Sequence, residues 1–330
     1  MKLFLARPRG FCAGVDRAIG VVLIALERLG PPVHIRRQIV HNRHVVETLS
    51  ELGAVFIAEV EDAPVGATLV LSAHGVAPAV YRRAQARGLK VIDATCPLVS
   101  KVHTEALRFA REGRPVIIVG HRGHDEVAGT LGYTGARAYA VESVEEAERI
   151  RITVPPAPAV ITQTTLAVGD TRAIMDALRG RFPGLVTPAR DDICYATQNR
   201  QNAVLELVRR AEVIIVLGSG TSSNSNRLRE VAQAAGACTY LIEDASQLRP
   251  EWLDGVQSVG VTSGASTPER LVAEVVELIR ARRGGKVETV EVTSENITFA
   301  PPPTLARLKA ASNGRAAAPG DKVACSASPC

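Results

Sequence analysis

The sequence predicts an α/β protein of three similar small domains with mostly parallel sheets, set with pseudo-threefold symmetry around a central cavity. Three observations carry this reading. Short aliphatic runs alternate with amphipathic segments along the chain, the pattern of strands joined by crossover helices. Apolar residues make up 46% of the chain and aromatics only 4%, so the cores are built from Val, Ile, Leu and Ala, as in sheets covered on both faces. The order cysteine, helix, strand, polar loop begins at Cys12 and recurs from Cys96 and Cys194, which follow at spacings of 84 and 98 residues.

The first pass opens at Cys12 with a helical pattern over Val15 to Leu29, ended by Gly30. A strand over Val33 to Val40 reaches a polar loop at His41-Asn42. A second helix, Arg43 to Leu52, stops at Gly53 before a short strand, Ala54 to Ile57. A strand over Thr68 to Ser72 ends in Ala73-His74-Gly75, and helix Pro78 to Arg87 starts on a proline suited to a first turn. Strand Lys90 to Asp93 then delivers Cys96. The second pass runs through helix Leu98 to Arg111, strand Pro115 to Gly120 and the loop His121 to Glu126. Strands at Arg137 to Val141 and Ala159 to Thr162 follow, the latter ending in Gln163-Thr164-Thr165, and helix Asp170 to Phe182 leads towards Cys194. The third pass has helix Gln198 to Ala211, strand Val213 to Leu217 and a loop from Gly218 to Asn226 rich in Ser and Asn. Helix Arg227 to Ala235, strand Cys238 to Ile242, strand Ser258 to Thr262, the loop Ser263 to Ser266, helix Pro268 to Arg283 and strand Lys286 to Val292 complete it. No cysteine follows that last strand. The N-terminal strand Lys2 to Ala6, just before Cys12, supplies the missing member. The domains are therefore 13–96, 97–193 and 194–300 with the N-terminal strand 1–12, and the Pro-, Ala- and Ser-rich stretch 301–330 reads as a disordered tail.

Charge and hydropathy narrow the partners. The net charge is +5, but from Thr304 onward the tail alone carries +3, and the rest mixes both signs without a basic stripe interleaved with aromatics. Nucleic-acid binding is not expected. The longest apolar run, Val21 to Leu26, is far short of a membrane span, and the N-terminal apolar stretch is cut at once by Arg7-Pro8-Arg9-Gly10. A cytoplasmic protein is the expectation, in which widely spaced cysteines are metal ligands, nucleophiles or core residues rather than disulfides.

In parallel sheets, ligand groups gather at the carboxyl ends of strands. Each repeat offers three such corners: a cysteine, a first polar loop and a second. They are Cys12, Cys96 and Cys194; then His41, His124 with Glu126, and Ser222, Ser223 and Asn224; then His74, Thr164 with Thr165, and Ser266. One cysteine alone reads best as a small buried hydrophobe. Three at equivalent points of a repeat, each just before a helix whose N-terminus favours a thiolate, read as a metal or cluster site. Three sulfurs around a four-iron cube leave one iron open, whereas Zn²⁺ with an exchangeable fourth ligand is the rival; no CxxC occurs. Cys238 reads as a core residue, and Cys325 and Cys330 as incidental thiols. The polar corners suit a diphosphate, with helix N-termini behind the Ser222 and Ser266 loops. Each serine taken alone could be a helix cap, but the Ser-Ser-Asn-Ser-Asn cluster exceeds what one cap needs. No GxxxxGK[ST] and no GxGxxG is present, which argues against nucleotide triphosphates and dinucleotides. Glu126 is the single acidic corner and a natural proton donor. His34, His44 and His103 lie on strand or helix bodies and read as structural or surface residues.

These strings have a further meaning. Pro8-Arg9-Gly10-Phe11-Cys12-Ala13-Gly14-Val15, Val40-His41-Asn42, Ser72-Ala73-His74-Gly75 and Asp93-Ala94-Thr95-Cys96-Pro97 resemble the IspH/LytB family. So do Gly120 through Glu126, Thr162-Gln163-Thr164-Thr165, Ile193-Cys194-Tyr195-Ala196-Thr197 and Ser222 through Arg227, in order, over Met1 to about Pro302. The resemblance implies a trefoil of three α/β domains and one [4Fe–4S] cluster on Cys12, Cys96 and Cys194, with the substrate hydroxyl at the open fourth iron. It implies reductive dehydroxylation of (E)-4-hydroxy-3-methylbut-2-enyl diphosphate to isopentenyl and dimethylallyl diphosphate, the last step of the non-mevalonate (MEP/DOXP) route. His41, His74, His124, Ser222, Ser223, Asn224 and Ser266 would hold the diphosphate. Thr164 and Glu126 would handle protons, with Glu126 the donor. Electrons would come from a ferredoxin or flavodoxin with its NADPH-dependent reductase. An iron–sulfur dehydratase without net electron transfer is the alternative, followed by a cluster-based sensor and a Zn²⁺ hydrolase.

Overall fold

The computed structural model describes residues 1–153 and 155–306. β1 (Lys2–Arg7) feeds the Cys12 loop and α1 (Ala13–Leu29), whose buried residues Val15, Ala18, Ile19, Val22 and Leu26 recur at helical spacing. β2 (Val33–Arg36), α2 (Arg43–Glu51), β3 (Ala54–Ile57), β4 (Thr68–Leu71), α3 (Pro78–Ala86) and β5 (Lys90–Asp93) follow. Next come α4 (Pro97–Arg111), β6 (Val116–Val119), α5 (Asp125–Thr134), β7 (Ala138–Val141), α6 (Val144–Arg149), β8 (Ala159–Thr162) and α7 (Val168–Arg181). The remainder comprises α8 (Tyr195–Val208), β9 (Val213–Leu217), α9 (Ser223–Ala234), β10 (Cys238–Ile242), β11 (Ser258–Ser263), α10 (Glu269–Arg283), β12 (Lys286–Glu291) and α11 (Pro303–Ala306).

The strands form three sheets, in the orders β3-β2-β4-β5, β7-β6-β8 and β10-β9-β11-β1-β12. Among the described residues every pairing is parallel. The orders superpose as a repeat. β2, β6 and β9 hold one position, and β4, β8 and β11 the next. Beyond them lies the strand that delivers a cysteine: β5 before Cys96 and β1 before Cys12. In the second sheet that place is reduced to one parallel bridge between Ala159 and Val186, on the approach to Cys194. β1 sits beside β11, as the repeat requires, and β12 adds an extra edge strand.

Each sheet is covered on both faces, which explains its nearly continuous apolar strands. The second sheet separates a core of Ile117, Val119, Val160, Ile174 and Leu178 from one of Phe109, Val116, Ile118 and Ile161. β6 and β9 are buried at every position. Each such Val or Ile contributes roughly 1.5–3 kcal/mol on leaving water, and cutting Ile161 to Ala would cost about 2–5 kcal/mol.

The structure departs from the sequence reading at several places, among them α8, which runs over Tyr195–Val208 and not Gln198 to Ala211 because Cys194 caps it directly. The strand expected over Val33 to Val40 ends at Arg36, although Ile39 and Val40 stay buried. Helices α5 and α6 were not expected. α9 starts at Ser223, so Ser223 and Asn224 form a helix turn rather than a loop. Cys238 is exposed on edge strand β10, where its Sγ donates to Tyr240 Oη at 3.3 Å; it is not a core residue. The predicted tail begins too early, because α11 is ordered and Leu305 packs fully buried against α1 through the first core. Residues 307–330, with Cys325 and Cys330, lie outside the described residues.

Candidate functional site

The corners meet. Cys12, His41, His74, Cys96, His124, Glu126, Thr164, Thr165, Cys194, Ser222, Ser223, Asn224 and Ser266 all line one central cavity of about 100 Å³. Three equivalent hydrogen bonds assemble it. Cys12 N–H donates to Ala265 O at 3.3 Å, Cys96 N–H to Ala73 O at 2.9 Å and Cys194 N–H to Thr164 O at 3.0 Å. Each cysteine is thus anchored to the second polar loop of its own sheet.

Every cysteine is the residue capping its helix: Cys12 for α1, Cys96 for α4 and Cys194 for α8. At Cys96 and Cys194 the expected thiolate stabilisation is present but outweighed. Burial pushes the Cys96 thiol up to about 12 and Cys194 to about 11, against the opposing pull of Leu98, Val99 and Thr197 donors. A cationic centre beside these two sulfurs would favour their ionisation. Gly14 makes room for one: a Cβ there would sit 2.7 Å from Cys96 Sγ and 3.8 Å from Cys12 Sγ. Among the described residues, the one trio of potential ligands with atoms all within 4.8 Å is His41, His74 and Asp125. The three cysteine sulfurs are spread more widely than that. Thiolates on a single tetrahedral Zn²⁺ stand roughly 3.8 Å apart. The donor set fits a multi-iron cluster better than one ion.

Opposite the cysteines lies a neutral polar shell. The His41 and His74 rings stack at 4.1 Å, and His124 meets them edge-on at 5.6 and 5.7 Å. Burial lowers the pKa of all three, His124 to about 4 and His74 well below the usual value, where its two neighbours add to the effect. His41 Nε2, His74 Nδ1 and Asn224 Nδ2 are buried without a hydrogen-bond partner. Such orphans are costly unless a ligand completes them. Asn224 Oδ1 accepts from Ala265 N–H at 2.9 Å, so the free amide nitrogen is the group left to donate. Ser222 does cap α9, accepting from Ser225 N–H at 3.3 Å. Ser223 does more, since its Oγ accepts from Thr165 Oγ1 at 3.0 Å and Gln163 Nε2 at 3.2 Å. Ser266 Oγ donates to His41 O at 3.0 Å, joining the first and third sheets.

Glu126 is 2% exposed and lies in the first turn of α5. Thr164 N–H donates to its Oε1 at 2.7 Å and Thr164 Oγ1 to its Oε2 at 3.0 Å. Burial nevertheless raises its pKa to about 7, with Asp192 adding to the effect. A carboxyl held in a dry pocket with a pKa near neutrality can carry a proton and release it.

Gln163, Gly14 and Thr197 escaped the sequence reading; Thr197 lines the cavity and its N–H donates to Cys194 Sγ at 3.4 Å. Gln163 is 1% exposed; it accepts from His121 N–H at 3.0 Å while its amide reaches Thr165 Oγ1 at 2.8 Å and Ser223. Its place immediately before Thr164 in the second corner was the available signal. Gly14, two residues after Cys12, was marked only by its place in the string Pro8 to Val15. His34 and His103 are buried outside the cavity, and His44 pairs with Asp244 at 3.0 Å, all as structural residues.

The chain has named relatives along most of its length. The model of the LytB protein family matches residues 3–280. A 4-hydroxy-3-methylbut-2-enyl diphosphate reductase of Azotobacter vinelandii is 51% identical over 92% of this chain and 98% of its own. One from Acidothermus cellulolyticus is 50% identical over 98% of this chain and 96% of its own. The solved E-1-hydroxy-2-methyl-but-2-enyl-4-diphosphate reductase of Plasmodium falciparum superposes with a TM-score of 0.90 at 34% identity, covering 92% of this chain and 96% of that one. A second solved structure, the terminal enzyme of the non-mevalonate pathway, gives 0.60 at 33% identity, covering 85% and 99%.

Proposed function

This chain belongs to the LytB protein family, and from that premise we propose that its central cavity removes the hydroxyl of (E)-4-hydroxy-3-methylbut-2-enyl diphosphate at a [4Fe–4S] cluster held by Cys12, Cys96 and Cys194. The activity is the reduction of 4-hydroxy-3-methylbut-2-enyl diphosphate, the last step of the non-mevalonate isoprenoid route. The cofactor, the residue roles and the electron donor are our reading. The observation that supports it most is the meeting of three cysteines with a shell of orphaned donors in one cavity.

When bound, the cluster supplies electrons one at a time and an open iron for the substrate oxygen. The protein does the rest. His41 Nε2, His74 Nδ1 and Asn224 Nδ2, with Ser222, Ser223 and Ser266, receive the diphosphate, and the N-terminus of α9 faces it with free N–H groups. An arriving anion favours the protonated imidazole, so histidines held neutral by burial take up protons as the diphosphate binds. The diphosphate also shields the site from water. Glu126 keeps its proton until the hydroxyl leaves, and Thr164 fixes both of its carboxyl oxygens. Two electrons and two protons convert the substrate to water and one five-carbon diphosphate; protonation at either allylic end gives isopentenyl or dimethylallyl diphosphate. The electrons come from a ferredoxin or flavodoxin served by an NADPH-dependent reductase, and the enzyme works in the cytoplasm. Among the described residues, no helix is long and apolar enough to cross a membrane.

The test is anaerobic. Protein purified without oxygen carries about four irons and matching sulfide per chain, and with reduced viologen it forms both five-carbon diphosphates. Cys96→Ser removes both properties. One zinc per chain, or turnover in air without reductant, overturns the proposal.

A further inference from the structure

We propose that Arg17, Lys101 and Arg200 form a closed ring of positioning residues that holds the three cysteine loops at the separation a cluster requires. The inference rests on the cluster reading above. It starts from a regularity across the three sheets. Each cysteine-headed helix carries one basic residue a turn and a half onward: Arg17 on α1, five after Cys12; Lys101 on α4, five after Cys96; Arg200 on α8, six after Cys194. Each donates to backbone carbonyls of the loop that presents the next cysteine.

Arg17 Nη1 donates to Thr95 O, the residue before Cys96, at 3.0 Å. Lys101 Nζ donates to Arg190 O at 3.0 Å and Asp191 O at 3.3 Å, just before Cys194, and pairs with Asp192 Oδ1 at 3.1 Å. Arg200 Nη2 donates to Gly10 O at 2.8 Å and Phe11 O at 3.3 Å, just before Cys12, and Nε reaches Gly10 O at 3.2 Å. The contacts run from the Cys12 helix to the Cys96 loop, from the Cys96 helix to the Cys194 loop, and from the Cys194 helix back to the Cys12 loop. A head-to-tail contact that closes after three steps fixes all three separations together.

The chemistry suits the task. These loops leave their sheets to present a cysteine, so their carbonyls lack ladder partners and need donors. Arg200 is fully buried, a position tolerated only with its charge and donors satisfied. Glu295 answers it at 3.1 Å, itself held by Asn199 Nδ2 at 3.0 Å. Arg17 Nε takes Ala300 O at 2.8 Å. The segment after β12 therefore braces two of the three links. None of the three basic residues lines the cavity, so they act through the cysteine loops and not on substrate.

The experiment measures iron release to a ferrous chelator from anaerobically purified holoenzyme, alongside thermal unfolding of the iron-free chain. Residues outside a metal's ligands that orient them typically cost 10–100-fold in metal affinity when changed. Arg17→Gln and Lys101→Met should each release iron at least about tenfold faster than wild type. Lys101→Arg should restore a rate close to wild type. Because one break opens the ring, the double variant should release iron little faster than either single one, a non-additive result. Arg200→Lys keeps the charge but loses the fork, and should resemble the other single variants. Should it fail to fold, the Arg17 and Lys101 variants decide alone. Wild-type iron release in both, with only a lowered unfolding temperature of the iron-free chain, reduces the contacts to ordinary structure and overturns the ring. Wild-type protein that holds no iron would instead defeat the cluster reading, and the ring with it.

Discussion

Replacing Glu126 with Gln tests the proton-donor assignment with little disturbance of shape. The amide has the volume of the carboxyl. Thr164 N–H, now 2.7 Å from Oε1, keeps an acceptor, and the Thr164 hydroxyl, 3.0 Å from Oε2, can turn to accept from the new amide. What is lost is the transferable proton. At 2% exposure, no adjoining bulk water can replace it. General acid catalysis contributes about 10²–10⁴-fold, so kcat should fall by roughly 3–5 kcal/mol of barrier while diphosphate affinity changes little. The wild-type enzyme should also lose activity as pH rises. Its acid, with a pKa raised to about 7, must be protonated to act, and the rate should decline about tenfold per pH unit above that value, raised further by the bound anion. The assay is steady-state anaerobic turnover with reduced viologen from pH 6 to 9 (roughly one unit either side of neutrality and beyond). A Glu126→Gln rate close to wild type, or an unchanged alkaline limb in that variant, would refute the role.

Other consequences can be checked as directly. Binding of inorganic diphosphate should take up protons at neutral pH, since His41, His74 and His124 are held neutral by burial; calorimetry in buffers of different ionisation enthalpy measures this, and buffer-independent heats would contradict it. Gly14→Ala gains helix propensity by about 1 kcal/mol yet places its Cβ 2.7 Å from Cys96 Sγ. Iron content should fall without loss of thermal stability in the iron-free chain; full iron occupancy would remove the close approach from the account. His103, 5% exposed and stacked on Tyr133 at 4.5 Å, has its pKa lowered to about 4, with burial the cause. Its folded pKa lies below the unfolded one, so the stability it lends is present above about pH 6.5 and drains as pH falls towards 4, at most about 3 kcal/mol. His103→Gln should flatten that part of the unfolding profile, and an unchanged slope would assign the loss to other groups.

Much of the architecture was legible because the repeat is written in cysteines and loop residues that recur in order. The missing N-terminal member of the third sheet could be inferred from strand Lys286 to Val292 lacking a cysteine after it, and β1 does lie beside β11. Helix α5 was hidden by its own packing. Gly129 and Gly132 lower its helix propensity, but a Cβ at Gly132 would collide with Ala77, and one at Gly129 would press within 3.4 Å of Gly75 and Val76. α6 is a single short element whose signal, Ser143 accepting from Glu146 N–H at 3.3 Å, lies in three residues. α11 escaped because composition reads the tail as a whole, whereas one buried side chain, Leu305, and a hydrogen bond from Arg28 Nη1 to its carbonyl at 3.0 Å anchor it. The polar corners that line the cavity were found because parallel strands gather their ends, whereas Gly14 and Thr197, within the helix starts, were not. The basic ring was not, because its members sit on helix flanks and bind carbonyls, which leave no mark in residue type. Their regular offset from each cysteine becomes visible only once the repeat is aligned.

The central claim is that this cavity consumes electrons as it removes the hydroxyl. Anaerobic titration of reduced viologen against 4-hydroxy-3-methylbut-2-enyl diphosphate, with products counted, tests it most directly. Two electrons consumed per five-carbon diphosphate formed, and none in Cys96→Ser, is the expected result; loss of the hydroxyl as water with no electrons consumed, leaving a diphosphate two electrons more oxidised than isopentenyl or dimethylallyl diphosphate, would contradict the account and identify a dehydratase.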